Sequence, residues 1–196
     1  MRTEILIFDG FDELDGFGPF EVLSNGGFEP RFVAADGATE VTASHGARVM
    51  TDGALSDDVK LLVVPGGGWA DRAPQGAWAE AARGTLPAAI AERHRAGATI
   101  ASVCTGAMLL ASAGLLAGRP AITHHGALDD LEATGAHVQR DARVVDDGDI
   151  LTAGGVTSGI DLALWLVERE RGAELADLVA REIEHARSEV LRTAAA

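Results

Sequence analysis

Three short, unbroken apolar runs constrain this chain more than any other feature: Ile5-Leu6-Ile7-Phe8, Leu61-Leu62-Val63-Val64 and Thr99-Ile100-Ala101-Ser102-Val103. Each has strand length and none alternates with charged residues, so each reads as a strand covered on both faces. Between and after them lie stretches of helical composition. Gly18-Pro19 predicts a short helix from Pro19 to about Ser24, stopped by Asn25-Gly26-Gly27. A longer helical stretch runs from about Ala77 to Ala96 with a break near Pro87, and Thr105 to Ala113 forms another. Arg31 to Ala35 reads as a further strand, Glu40 to Thr51 has room for two short ones, and Arg143 to Thr152 is a hairpin around Asp147-Gly148. His124-His125-Gly126 starts a short helix, and Ile160 to Arg171 is a long one. The last begins near Ala173 and sets Leu175, Leu178, Val179, Ile183, Ala186 and Val190 along one face, making Arg181 to Ala196 a charged helix. Buried strands alternating with helices imply an α/β fold with a mostly parallel central sheet. No repeat, linker or low-complexity tract interrupts the chain apart from Ala194-Ala195-Ala196, so residues 1–196 are expected to form one domain.

Composition removes several function classes. Thirty Asp and Glu against sixteen Lys and Arg give a net charge of −14, which repels nucleic acid and anionic membranes, and neither is expected as a partner. Lys60 is the only lysine; a salt-adapted cytoplasm and a GC-rich genome account for that balance equally well. The apolar runs are too short to span a bilayer, and Met1-Arg2-Thr3-Glu4 leads straight into one without a cleavage site, so a cytoplasmic location is expected. A single cysteine excludes an internal disulfide and a cysteine-based zinc site. His45, His94, His137 and His185 show no ligand spacing, and Gly154-Gly155-Val156-Thr157-Ser158-Gly159 lacks the Gly-Lys ending of a phosphate loop. No metal and no cofactor are expected.

The segments directly after the strands carry the chemistry, because ligands of open α/β sheets collect at the carboxyl ends of the strands. The first run leads into Asp9, Asp12, Glu13, Asp15 and Glu21, the second into Gly66-Gly67-Gly68, the third into Cys104-Thr105-Gly106. Cys104 sits between strand and helix with small residues around it (Ala101, Ser102, Gly106, Ala107), as a nucleophile elbow requires. A helix N-terminus would lower its pKa; the alternative is a small buried core residue. The Thr105 amide, with that of Gly67 or Gly68, could receive developing negative charge, or the glycines could form a plain turn. Asp15 and Glu21 are candidate acid–base groups, Glu21 as an inward-facing carboxyl whose raised pKa would let it donate to the thiolate; otherwise both belong to a solvated acidic loop. His124 could pair with the thiol or be an ordinary histidine at a helix start.

Taken in order, Leu14-Asp15 with Gly18-Pro19-Phe20-Glu21-Val22, Val64-Pro65-Gly66-Gly67, Ser102-Val103-Cys104-Thr105-Gly106, Thr123-His124-His125 and Ala153 through Asp161 resemble the ThiJ/PfpI superfamily of class I glutamine amidotransferase-like proteins. The likeness covers nearly the whole chain and is strongest to the isonitrile hydratase-like branch. It implies a flavodoxin-like three-layer sandwich, usually dimeric, with Cys104 at the elbow and Glu21 in contact with it. Asp15 and Thr105 would match the hydratase residues, with Asp15 as proton shuttle and a small-molecule isonitrile converted to an N-formamide through a Cys104 thioimidate. It also leaves open glyoxalase or deglycase chemistry on 2-oxoaldehydes through Cys104, Glu21 and His124, and a ligand- or redox-sensing module related to regulator domains. The late His–Glu pair of glutamine amidotransferases is missing, so glutamine hydrolysis is not expected.

Overall fold

The computed structural model describes residues 2–193; the terminal alanines lie outside them. In chain order the elements are β1 (Arg2–Leu6), α1 (Glu13–Asn25), β2 (Glu29–Val33), β3 (Glu40–Thr42), β4 (Arg48–Met50), β5 (Leu61–Val64), α2 (Ala77–Arg83), α3 (Thr85–Arg95) and β6 (Thr99–Val103). Next come α4 (Gly106–Ser112), β7 (Pro120–Ala121), a 3₁₀ turn at His125–Ala127, α5 (Leu128–Ala133), β8 (His137–Val138), β9 (Val144–Asp146), β10 (Ile150–Ala153), α6 (Ser158–Arg171), α7 (Ala173–Glu182) and β11 (Val190–Arg192). Seven strands form the main sheet in the order β11-β9-β10-β6-β5-β1-β2. All its neighbours run parallel except the β9–β10 hairpin. Helices α1, α6 and α7 pack together, as do α2, α3 and α4, giving a helical layer on either side of the sheet. This is the expected three-layer α/β sandwich. Strands β5 and β6 coincide with the apolar runs that predict them and are buried almost throughout, as two helical layers require.

Strand β2 lies two residues earlier than expected, and four further elements differ, each for a local reason. Strand β1 covers Arg2–Leu6 rather than Ile5–Phe8 because Glu4 is fully buried in it, accepting hydrogen bonds from the backbone and hydroxyl of Ser56. Helix α1 starts at Glu13, six residues before Pro19, because Asp12 caps it by accepting from the Leu14 amide at 3.1 Å. The α2–α3 break falls at Gly84 (φ 77°), whose amide bonds Glu80; Pro87 lies in the first turn of α3, where a missing N–H costs little. The last helix stops at Glu182, and Leu178 on it is 55% exposed. Glu184 takes a left-handed φ of 51°, and the chain beyond it returns to the sheet as edge strand β11 beside β9. Between Ile183 and Thr193 the chain is therefore not a charged helix, and the rest of the expected helix, Ala194 to Ala196, lies outside the described residues.

Candidate active site

Strands β10, β6, β5 and β1 are adjacent and parallel, so the segments after them meet at one sheet edge. The strand order reverses at β1, the position where such sheets open a crevice. Cys104 comes immediately after β6 and has a φ of 56°, a left-handed conformation that is costly for any residue with a Cβ. Its amide donates to the Gly154 carbonyl after β10 (2.8 Å), and its own carbonyl accepts from the Thr123 hydroxyl (2.9 Å). These bonds hold the strained turn in place. Cys104 as a whole is 6% exposed.

Asp15 projects from the first turn of α1 and is completely buried. One carboxyl oxygen, Oδ2, accepts from the Gly66 amide at 3.0 Å; Oδ1 is buried with no hydrogen-bond partner among the described residues. The carboxyl group faces the Cys104 thiol. Burial, reinforced by the charge of Asp12, pushes the Asp15 carboxyl up to about 7. Burial and the Asp15 carboxylate together push the Cys104 thiol up to about 12. The helix-lowered thiol expected from sequence is thus reversed: the nearest charge is negative and the site is buried.

Two backbone amides oppose that rise by lying against the sulfur, those of Thr105 and Val156. Thr105 is where the sequence places an anion donor; Val156 is not. The Gly67 amide is engaged instead by the Thr105 hydroxyl at 2.9 Å. That bond is possible because the two loops touch: a Cβ on Gly66 would stand 2.4 Å from the Thr105 nitrogen. Gly68 faces the 73–76 loop and lines a separate cleft of about 380 Å³ with Gly10, His45 and Gln75.

Glu21 does not reach the thiol. It is exposed and accepts from the Asn25 side chain at 3.1 Å. Because α1 begins at Glu13, six residues separate Glu21 from Asp15, about 120° around the helix. His124 comes close without pairing: its ring packs on Gly155 and on His125 (centroids 4.1 Å apart), and its Nδ1 accepts from the Gly126 amide. Burial and the neighbouring His125 lower its pKa. Among the described residues no group of three or more acidic, His or Cys side chains is placed to hold a metal ion. What sequence reasoning misses is Val156. Its signal is the Gly154-Gly155 pair, which lets β10 end against Cys104 and His124.

The arrangement is a buried acid and a buried thiol side by side, with two amides on the sulfur. The DJ-1/PfpI family profile matches residues 1–169. The chain belongs to the DJ-1/PfpI family. It is 34% identical to isonitrile hydratase of Pseudomonas putida over 95% of its own length and 79% of that protein. It is 33% identical to deglycase TK1284 of Thermococcus kodakarensis, over 86% of this chain and 96% of the other. Among solved structures it superimposes on a ThiJ/PfpI family protein from Pseudomonas syringae with a TM-score of 0.84 at 29% identity, covering 96% of this chain and 76% of that one. The family thus contains enzymes with distinct activities on a common sandwich, and the chemistry of this member turns on its own site.

Proposed function

We propose that this DJ-1/PfpI protein is a cysteine-dependent hydratase of small neutral electrophiles, converting an isonitrile and water to an N-formamide. The observation that carries the reading is the Asp15 carboxyl, fully buried and facing the Cys104 thiol, with only Oδ2 held by a backbone amide. Above about pH 7 the pair holds one proton, shared between a base and a nucleophile. The sulfur bonds to the terminal isonitrile carbon while the thiol proton passes through Asp15 to that same carbon, giving the thioimidate R–N=CH–S–Cys104. Asp15 then takes a proton from water as the hydroxyl adds to the carbon, and delivers it to nitrogen. The C–S bond breaks, the hydroxyl proton returns through Asp15 to sulfur, and R–NH–CHO leaves with one water consumed. Negative charge gathers on sulfur during attack and departure, where the Thr105 and Val156 amides favour it. In this reading Glu21 has no role, and Thr105 serves through its amide and through the hydroxyl that fixes Gly67.

Formation of N-formamide from a small alkyl isonitrile, followed by NMR with ¹⁸O-labelled water, tests the reading. One labelled oxygen per product is expected from the wild type and no turnover from Cys104→Ala. Absence of formamide above the Cys104→Ala blank would overturn it. The likeness to a deglycase favours a second reading in which the same thiol adds to the aldehyde carbon of a 2-oxoaldehyde. Asp15→Asn separates the two, abolishing isonitrile hydration while largely sparing methylglyoxal turnover. A homodimer in the cytoplasm is part of the first reading. Among the described residues no helix is long and apolar enough to cross a membrane.

A further inference from the structure

Val156 is the least expected participant in the site, and its geometry needs an explanation. Its φ of 36° is unfavourable for a β-branched residue, so the surrounding structure must hold it there. The 154–157 loop is gripped at both ends by one residue. The Arg143 carbonyl accepts from the Gly154 amide at 2.9 Å, and the Arg143 guanidinium donates to the Thr157 hydroxyl at 3.2 Å. The guanidinium is itself fixed by a two-point contact with Asp161 Oδ2, at 2.9 Å from Nε and 2.7 Å from Nη2. The other Asp161 oxygen accepts from His185 Nε2 (3.0 Å) and from the Ser188 amide (2.9 Å), so the returning tail completes the clamp. The Asp161 side chain is 1% exposed, so the clamp is anchored on a buried carboxylate.

We infer that Arg143 is a positioning residue for the reacting thiol: by clamping the 154–157 loop at both ends it holds the Val156 amide against the Cys104 sulfur. The inference rests on the reading of Cys104 as the reacting group, but not on the isonitrile as substrate. Asp161 and Thr157 act through Arg143, and none of the three touches substrate.

The test is the rate of Cys104 alkylation by iodoacetamide as a function of pH, with thermal unfolding measured alongside. Thr157→Val removes only the hydroxyl that the guanidinium holds; Arg143→Lys keeps the charge opposite Asp161 but loses the planar fork. Both are expected to alkylate about tenfold more slowly at pH 8, the effect of losing about 1.4 kcal/mol of thiolate stabilisation with one of two sulfur-facing donors. Thr157→Val should unfold within a few degrees of the wild type, and the double variant should be no slower than Arg143→Lys alone, since both act on one contact. Arg140→Lys is the control: Arg140 lies on the same connection but pairs with Asp129 and Glu132, and its rate should not change. Alkylation of Thr157→Val and Arg143→Lys within twofold of the wild type would overturn the inference, as would an Arg140→Lys variant slowed equally. Because iodoacetamide replaces the substrate, a protein that fails to hydrate isonitriles would still give a clear answer here. With an active hydratase, the same variants should lower kcat and leave KM nearly unchanged.

Discussion

At the scale of single residues, the site is governed by where Asp15 keeps its proton. Its carboxyl moves from an ordinary 3.8 to about 7, and the thiol beside it moves to about 12, so between those values the pair holds one proton. The rate of isonitrile hydration should therefore rise with pH through about 7 with unit slope, because below it Asp15 is protonated and cannot take the thiol proton. In Asp15→Asn, Cys104 alkylation should lose its rise near pH 7. The same residue has a measurable effect on stability. Between 3.8 and about 7 the folded chain binds a proton that the unfolded chain releases, so stability falls as pH rises through that window and the loss is complete above it. Asp15→Asn should match the wild type near pH 4 and exceed it at pH 8 by up to about 4 kcal/mol, seen as a higher Tm in paired melts. An Asp15→Asn protein no more stable than the wild type at pH 8 would show that this carboxyl is not held protonated by its surroundings. Cys104, Asp15 and Thr105 were legible from their residue types after the strands; Val156 was not, because a backbone amide leaves no side-chain signature.

At the scale of elements, the cap of α1 decides which acid faces the thiol. Gly18-Pro19 reads as a helix start by composition, yet Asp12 starts the helix earlier and turns Asp15 inward and Glu21 outward. Proline inside the helix is accommodated at the contact with α6, where a Cβ on Gly159 would lie 3.5 Å from the Pro19 ring. Asp12 also raises the Asp15 pKa by its charge. Asp12→Asn keeps a good capping residue but removes that charge, so the midpoint of the pH–rate profile should move down while Tm changes little. A profile unchanged in Asp12→Asn would remove Asp12 from the electrostatics of the site. Gly159 gives the packing counterpart: a Cβ there would stand 2.9 Å from Val103, the residue before Cys104. Gly159→Ala should cost about 1–3 kcal/mol and slow alkylation as well, since α6 must move off the strand that carries the thiol.

At the scale of the whole molecule, the chain returns at its end to brace the site. β11 closes one edge of the sheet, and the residues leading to it satisfy Asp161 through His185 and Ser188. Burial works against the Asp161 charge, but the His185 and Arg143 bonds outweigh it and hold the carboxyl below its ordinary value. Its stabilising effect is therefore complete above that value and lost as pH falls through the lowered one, so Asp161→Asn should flatten the acid limb of the stability profile. The proposed homodimer is checked by sedimentation equilibrium, where twice the 20.3 kDa of one chain is expected and a single-chain mass would remove it. The sequence by itself determined the α/β class, β5 and β6, the hairpin and the position of Cys104, because burial on both faces and turn chemistry are written in consecutive residues. Only the tertiary structure decided that Asp15 rather than Glu21 meets the thiol, that Val156 rather than Gly67 or Gly68 is the second donor, and that the thiol's pKa rises rather than falls. Each of those depends on groups far apart in the chain, brought together at one sheet edge, where burial and neighbouring charge outweigh what any local pattern encodes.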